Sequence, residues 1–145
     1  MERQVRISIL WLVLMVGGLV HTVVEVMPLF WGESIAAMPQ NEAQMHGMMA
    51  FSACFFFVLP GLGQLCTLYA CKRWCAVLNA VLAGVMLLLN TSHPIMDLPG
   101  APLAQWFILP LVFLFNVILM VEVVKACRRK ETHSCCACLL YTSDA

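Results

Sequence analysis

The chain has 145 residues, of which 62% are hydrophobic and 11% charged, and its net charge is zero. A soluble domain is about half apolar and about a quarter charged, and a water-soluble fold of this size could not hide so much apolar surface. The balanced charge, with no long basic run, gives no indication of nucleic-acid binding. We therefore expect one integral membrane domain.

Four stretches of the chain are apolar enough to cross a bilayer, which takes roughly 20 residues. They run from about 7 to 30, 46 to 69, 74 to 93 and 103 to 124. Each must be helical, because lipid offers no hydrogen-bond partner to the backbone. Their continuous apolar character excludes a closed barrel, whose strands alternate. The predicted fold is an all-α, four-helix integral membrane bundle with short loops, formed by residues 1–130.

The basic residues predict the orientation of the bundle. An even number of crossings places all of them on one side, and positively charged loops stay cytoplasmic. They are Arg3, Arg6, Lys72, Arg73, Lys125, Arg128, Arg129 and Lys130. We predict a multi-pass protein of the cell membrane, of the bacterial inner-membrane type, with both termini in the cytoplasm. The alternative is a signal peptide cleaved near position 36, which would leave three spans with the same sidedness of the loops.

Small residues and prolines indicate how the helices pack. Ala76, Ala80 and Gly84 recur at a spacing of four in the third span. In lipid such a stripe lets two helices approach closely, so we expect a packing face there, and a contact for a homo-oligomer or another membrane partner. Pro60 and Pro110 lie inside spans and are expected to kink their helices.

A histidine and a carboxylate inside the first span carry the strongest functional signal. Glu25 follows His21 by one helical turn on the same face, and ionisable groups within a span are costly and usually mark function. At 1.5 Å per residue, Asn90, His93 and His46 fall at the same outer level. Imidazole titrates near neutral pH. We predict that these residues form a site that binds a small ligand, a proton or a metal, and that the protein is transport-related.

Methionines near the same level suggest one specific metal. Thioether and imidazole ligands together suit Cu(I), although methionine is also an ordinary flexible filler of apolar space. The candidate copper ligands are His21, His46, Met45, Met48, Met49 and His93.

The pair His21-x-x-x-Glu25 also resembles the His-x-x-x-Glu pattern of the emopamil-binding sterol isomerase family. In that family a histidine and an acid in a membrane helix transfer protons on a sterol double bond. The resemblance covers five residues, and we do not transfer that activity to this chain. Two alternatives to a binding site remain. One is a small membrane enzyme that uses the pair on a lipid-like substrate, and the other is an accessory subunit whose polar groups only hold helices together.

The cysteines and the C-terminal tail add little to the functional prediction. The predicted outer loops contain none of the eight cysteines, and cytoplasmic thiols are normally reduced, so we expect no structural disulfide. Residues 131–145 are predicted to be a disordered tail that contains Cys135, Cys136 and Cys138. Residues 139–145 resemble translated sequencing adapter, so an earlier terminus is the alternative to a genuine tail.

Overall fold

The computed structural model describes residues 2–32, 41–69, 73–97 and 103–128, and every regular element in these ranges is helical. The first helix, α1, spans Arg3–Val26 and continues as a short 3-10 helix over Met27–Trp31. Helix α4 spans Arg73–Asp97 and helix α5 spans Gln105–Arg128. The tail from 131 to 145 lies outside the described residues.

The second crossing consists of three consecutive segments. Helix α2 covers Glu42–Ala53, a π-helical turn covers Cys54–Val58, and helix α3 covers Leu59–Leu68. Pro60, at the start of α3, has no N–H to donate to the preceding turn. The widened π turn lies directly before this proline, and such turns occur frequently at functional positions. The sequence predicted that Pro60 would kink this helix, but it did not predict the π-helical turn.

In the described part of the chain, four helical segments are long and apolar enough to cross a membrane, in agreement with the four predicted spans. They are Arg3–Trp31, Glu42–Leu68, Trp74–Ser92 and Gln105–Arg128. The helical backbone of α4 continues past Pro94, where we expected a break, and ends at Asp97. Pro110 lies inside α5, which remains one continuous helix.

The helices form a ring in which α1 packs against α3 and α5, and α4 packs against the same two helices from the opposite side. Large side chains from three helices fill the centre of this ring. Trp11, Leu14, Met86 and Leu119 are each at most 1% exposed. At one end, which we call the arginine end, Arg3 and Arg6 of α1 lie 3.6 and 3.5 Å from Glu122 of α5.

A hydrogen-bonded chain that we call the Trp11 network ties three helices together. Trp11 Nε1 donates to Asn79 Oδ1 at 2.9 Å, and Asn79 Nδ2 donates to Thr67 Oγ1 at 2.8 Å. Thr67 in turn donates to the carbonyl of Gly63. The indole lies so close to α3 that a Cβ atom on Gly63 would be 2.3 Å from the ring. The network therefore requires both the polar groups and the absence of a side chain at Gly63.

The small-residue stripe of the third span faces α5 of the same chain. The thiol of Cys127 donates to the Ala76 carbonyl at 3.0 Å, and the nearest atom to a Cβ on Gly84 is the Met120 methyl carbon, 4.0 Å away. Ala80 packs partly buried against the core. The stripe thus serves packing within the bundle, and its use by a partner stays a prediction.

Candidate functional site

His21 occupies the last buried position of α1. The inward face of this helix repeats every three or four residues, as expected for a helix packed on one side. Its buried members are Ile7, Trp11, Leu14, Gly18 and His21. His21 is only 3% exposed, so the periodicity that builds the apolar core also carries an imidazole into the bundle. We call this end of the bundle the histidine end.

The first turn of α5 fixes the orientation of the imidazole. Gln105, only 1% exposed, places its Oε1 2.7 Å from His21 Nδ1, and its Nε2 donates to the backbone carbonyl of His21 at 3.2 Å. The opposite orientation of the amide would set two oxygens against each other, so Oε1 must face the ring. Since an amide oxygen only accepts hydrogen bonds, Nδ1 of His21 carries a hydrogen.

The second ring nitrogen faces a carboxylate. His21 Nε2 lies 3.2 Å from Oε1 of Glu25, one turn further along α1. Because Nδ1 already carries a hydrogen, a neutral ring would present the Nε2 lone pair to this oxygen, and two acceptors repel. The contact is favourable when one further proton lies between the two atoms, either on the imidazole or on the carboxyl group. The geometry therefore allows the two atoms to share a proton.

Aromatic side chains close the inward side of the site. The ring of Phe56, in the π turn, lies 6.0 Å from that of His21, centroid to centroid. Phe56 reaches this position because Gly18 has no side chain, since a Cβ atom there would lie 2.4 Å from the phenyl ring. Phe55 meets Phe56 edge-on at 4.7 Å. Glu25 is the more accessible member of the pair, because its side chain is 44% exposed.

No family model, curated protein or solved structure matches the chain.

Two of the other predicted site residues are described, and they differ in burial. Asn90 is buried on α4, at 7% exposure. His46 lies on α2, outward-facing, and its Nε2 is 3.6 Å from Glu42 on the same helix. Positions 41–51 are all exposed, so His46 is presented to the surroundings rather than to the bundle interior. The side chain of His93 lies outside the described residues.

Four of the six candidate copper ligands lie on the same outward-facing helix, α2. Met45, Met48 and Met49 are each at least half exposed. Within residues 2–32, 41–69, 73–97 and 103–128, no three His, Cys, Asp or Glu side chains are arranged to hold a metal ion. A copper site of histidine and thioether ligands stays a prediction, and metal analysis of the purified protein would test it.

The sequence did not identify Gln105 and Phe56 as members of the site. Gln105 is the last polar residue before a long apolar run, and it lies at the level of His21. These two features were the available sequence signal that it belongs to the site. Phe56 had none, because it is one of three consecutive phenylalanines and only the π turn determines which of them meets His21.

The Gln105 clamp predicts a stability difference between two amides. Gln105→Leu would remove the two buried hydrogen bonds to Nδ1 and to the carbonyl of His21, and we expect it to lower the free energy of unfolding by about 1–3 kcal/mol. Gln64 is the matched control, because its Oε1 is buried without a hydrogen-bond partner among the described residues. Gln64→Leu should cost little. Thermal unfolding of both variants in detergent micelles measures the difference, and equal losses would contradict the clamp.

Proposed function

We propose that this chain is a small multi-pass membrane protein that binds and releases a proton at His21 and Glu25, near the non-cytoplasmic end of a four-helix bundle. The observation that carries the proposal is the 3.2 Å contact between His21 Nε2 and Glu25 Oε1, made while Nδ1 is held by Gln105. One ring nitrogen is fixed as a donor, so only the other can exchange its proton.

The unequal burial of the two groups supports a direction for the exchange. The His21 side chain is 4% exposed and the Glu25 side chain 44% exposed. A proton that arrives from outside the bundle reaches the carboxylate first and then the imidazole. Gln105 keeps the ring from turning, because it holds both a ring nitrogen and the backbone carbonyl of the same residue.

The proposed sidedness rests on the basic residues. Arg3 and Arg6 lie at the arginine end of the bundle, paired with Glu122, and Lys125 and Arg128 lie in the last turn of α5. Positively charged segments remain in the cytoplasm, so the histidine end would face the opposite compartment.

Proton-transfer chemistry on a lipid-like substrate is the second candidate. An apolar groove runs along the second crossing and α4, with Phe55 in its wall, and an acyl chain would suit its lining. However, Phe56 lies between that wall and His21, since it contacts both rings. This separation favours reversible proton binding over catalysis on a molecule in the groove.

Nitrogen-15 NMR of the histidine rings in micelles tests the proton site. We expect His21 to keep a hydrogen on Nδ1 at every pH at which the protein is folded, while Nε2 gains and loses a proton. In Glu25→Gln the new amide can donate to the Nε2 atom of a neutral ring, so the Nε2 signal should differ from that of the wild type at the same pH.

Glu42→Gln is the matched control, because Glu42 and His46 have the same spacing but are both exposed. It should leave the His21 signals unchanged. A His21 ring with its hydrogen on Nε2 alone, or the same titration in Glu25→Gln as in the wild type, would overturn the proposal. Loss of stability without any change in titration would favour the accessory role.

A further inference from the structure

An asparagine in the middle of α5 has no hydrogen-bond partner among the residues that the structure describes. Asn116 is 0% exposed, and neither its Oδ1 nor its Nδ2 is bonded within the described part of the chain. A buried amide without partners costs roughly 1–3 kcal/mol, and the surrounding lipid cannot supply any. A residue with this cost at the centre of a membrane bundle indicates a ligand that satisfies it.

A second unpaired amide lies at a similar height on the neighbouring helix. Two contacts fix the antiparallel register of α4 and α5, Cys127 with Ala76 and Met120 with Gly84. In that register Asn116 and Asn90 are within about one helical turn of each other along the bundle axis. Asn90 is also buried, and its Nδ2 has no partner among the described residues.

The unpaired atoms define the chemistry of the ligand. Together the two residues offer two donors, the Nδ2 atoms of Asn90 and Asn116, and one acceptor, Oδ1 of Asn116. A cation such as Na⁺ would need acceptors only, and an anion such as chloride would need donors only. An oxygen that accepts two hydrogen bonds and donates one matches the set. Buried water typically makes about three hydrogen bonds.

We propose that Asn116 and Asn90 bind an internal water molecule between α4 and α5, inward of the proton site. Both amides are buried inside the bundle, so the bound water would exchange slowly. The proposal does not depend on proton binding at His21, because its evidence comes from different residues on different helices.

Water-selective NMR of the protein with nitrogen-15 labels, in micelles, tests this proposal. The side-chain amides of Asn116 and Asn90 should both show cross-peaks to water whose sign indicates long residence. The Asn79 amide is the internal control, because both its polar atoms are bonded within the Trp11 network and should show no such cross-peak. Absence of the cross-peaks at Asn116 and Asn90 in the wild type would overturn the proposal.

A variant then tests whether the two amides share the molecule. Asn116→Leu removes one donor and the acceptor of the proposed site, so the water cross-peak of Asn90 should be lost. Asn116→Ser, which keeps a hydroxyl group, should retain at least part of it. A cross-peak of Asn90 that is unchanged in Asn116→Leu would contradict a shared site, and the wild-type measurement remains decisive if that variant does not fold.

Discussion

Replacing Gly63 by valine is expected to destabilise the bundle by about 3 kcal/mol or more, at the upper end of the cost of overpacking a core. A Cβ atom at this position would lie 2.3 Å from the indole of Trp11. That indole is 0% exposed, so it has no free space to move into, and α1 and α3 would have to separate. Separation would also stretch the Trp11 network. Thermal or denaturant-induced unfolding in micelles measures the loss.

Gly61 provides the control for this substitution. It lies two residues earlier in the same helix, and nothing is within 4 Å of a Cβ atom built there. Gly61→Val makes the same chemical change without the collision, so it should leave stability nearly unchanged. If the two variants were equally stable, the close approach of α1 and α3 would be wrong.

Trp11→Ala is expected to have a similarly large effect, of about 3–5 kcal/mol. The indole is buried at the centre of the ring of helices. Its removal would leave a cavity and deprive Asn79 Oδ1 of its donor at 2.9 Å. Trp11→Phe helps to distinguish the two contributions, because it loses the N–H but leaves a smaller cavity than alanine does.

Trp74→Ala is the matched control for the buried indole. Trp74 is 59% exposed, so the same substitution there removes few contacts within the chain. We expect Trp74→Ala to change the unfolding midpoint little, Trp11→Phe to lower it moderately, and Trp11→Ala to lower it most. An equal effect at both tryptophans would show that Trp11 is not the centre of the core.

Hydrophobicity and length were sufficient to predict the four helices, because a membrane span is defined by its composition over about 20 residues. The ends of the helices were less predictable. We expected a break at Pro94, yet α4 continues to Asp97. Pro94 lacks the N–H that would bond to the carbonyl of Asn90, and in membrane helices neighbouring groups can satisfy a backbone carbonyl that is freed in this way.

Contacts within one helix were predictable, whereas contacts between helices were not. The spacing of His21 and Glu25 indicated that they share a face, and they lie 3.2 Å apart. Gln105 follows His21 by 84 positions, and only the packing of α5 on α1 brings it to the imidazole. Glu122 illustrates the same limit, since it pairs with Arg3 and Arg6 at the other end of the chain. Spacing along α5 alone could not indicate those partners.

The outward position of α2 has a consequence for how the sequence can change over evolutionary time. Residues 41–51 are exposed throughout, and α2 contacts chiefly the π turn that directly follows it. Substitutions in α2 should therefore accumulate with little effect on the folding of the ring formed by α1, α3, α4 and α5. Segments with few internal contacts open independently of the rest of a protein. Natural variation would then be concentrated in α2, while Gly63 and Trp11 would change only together.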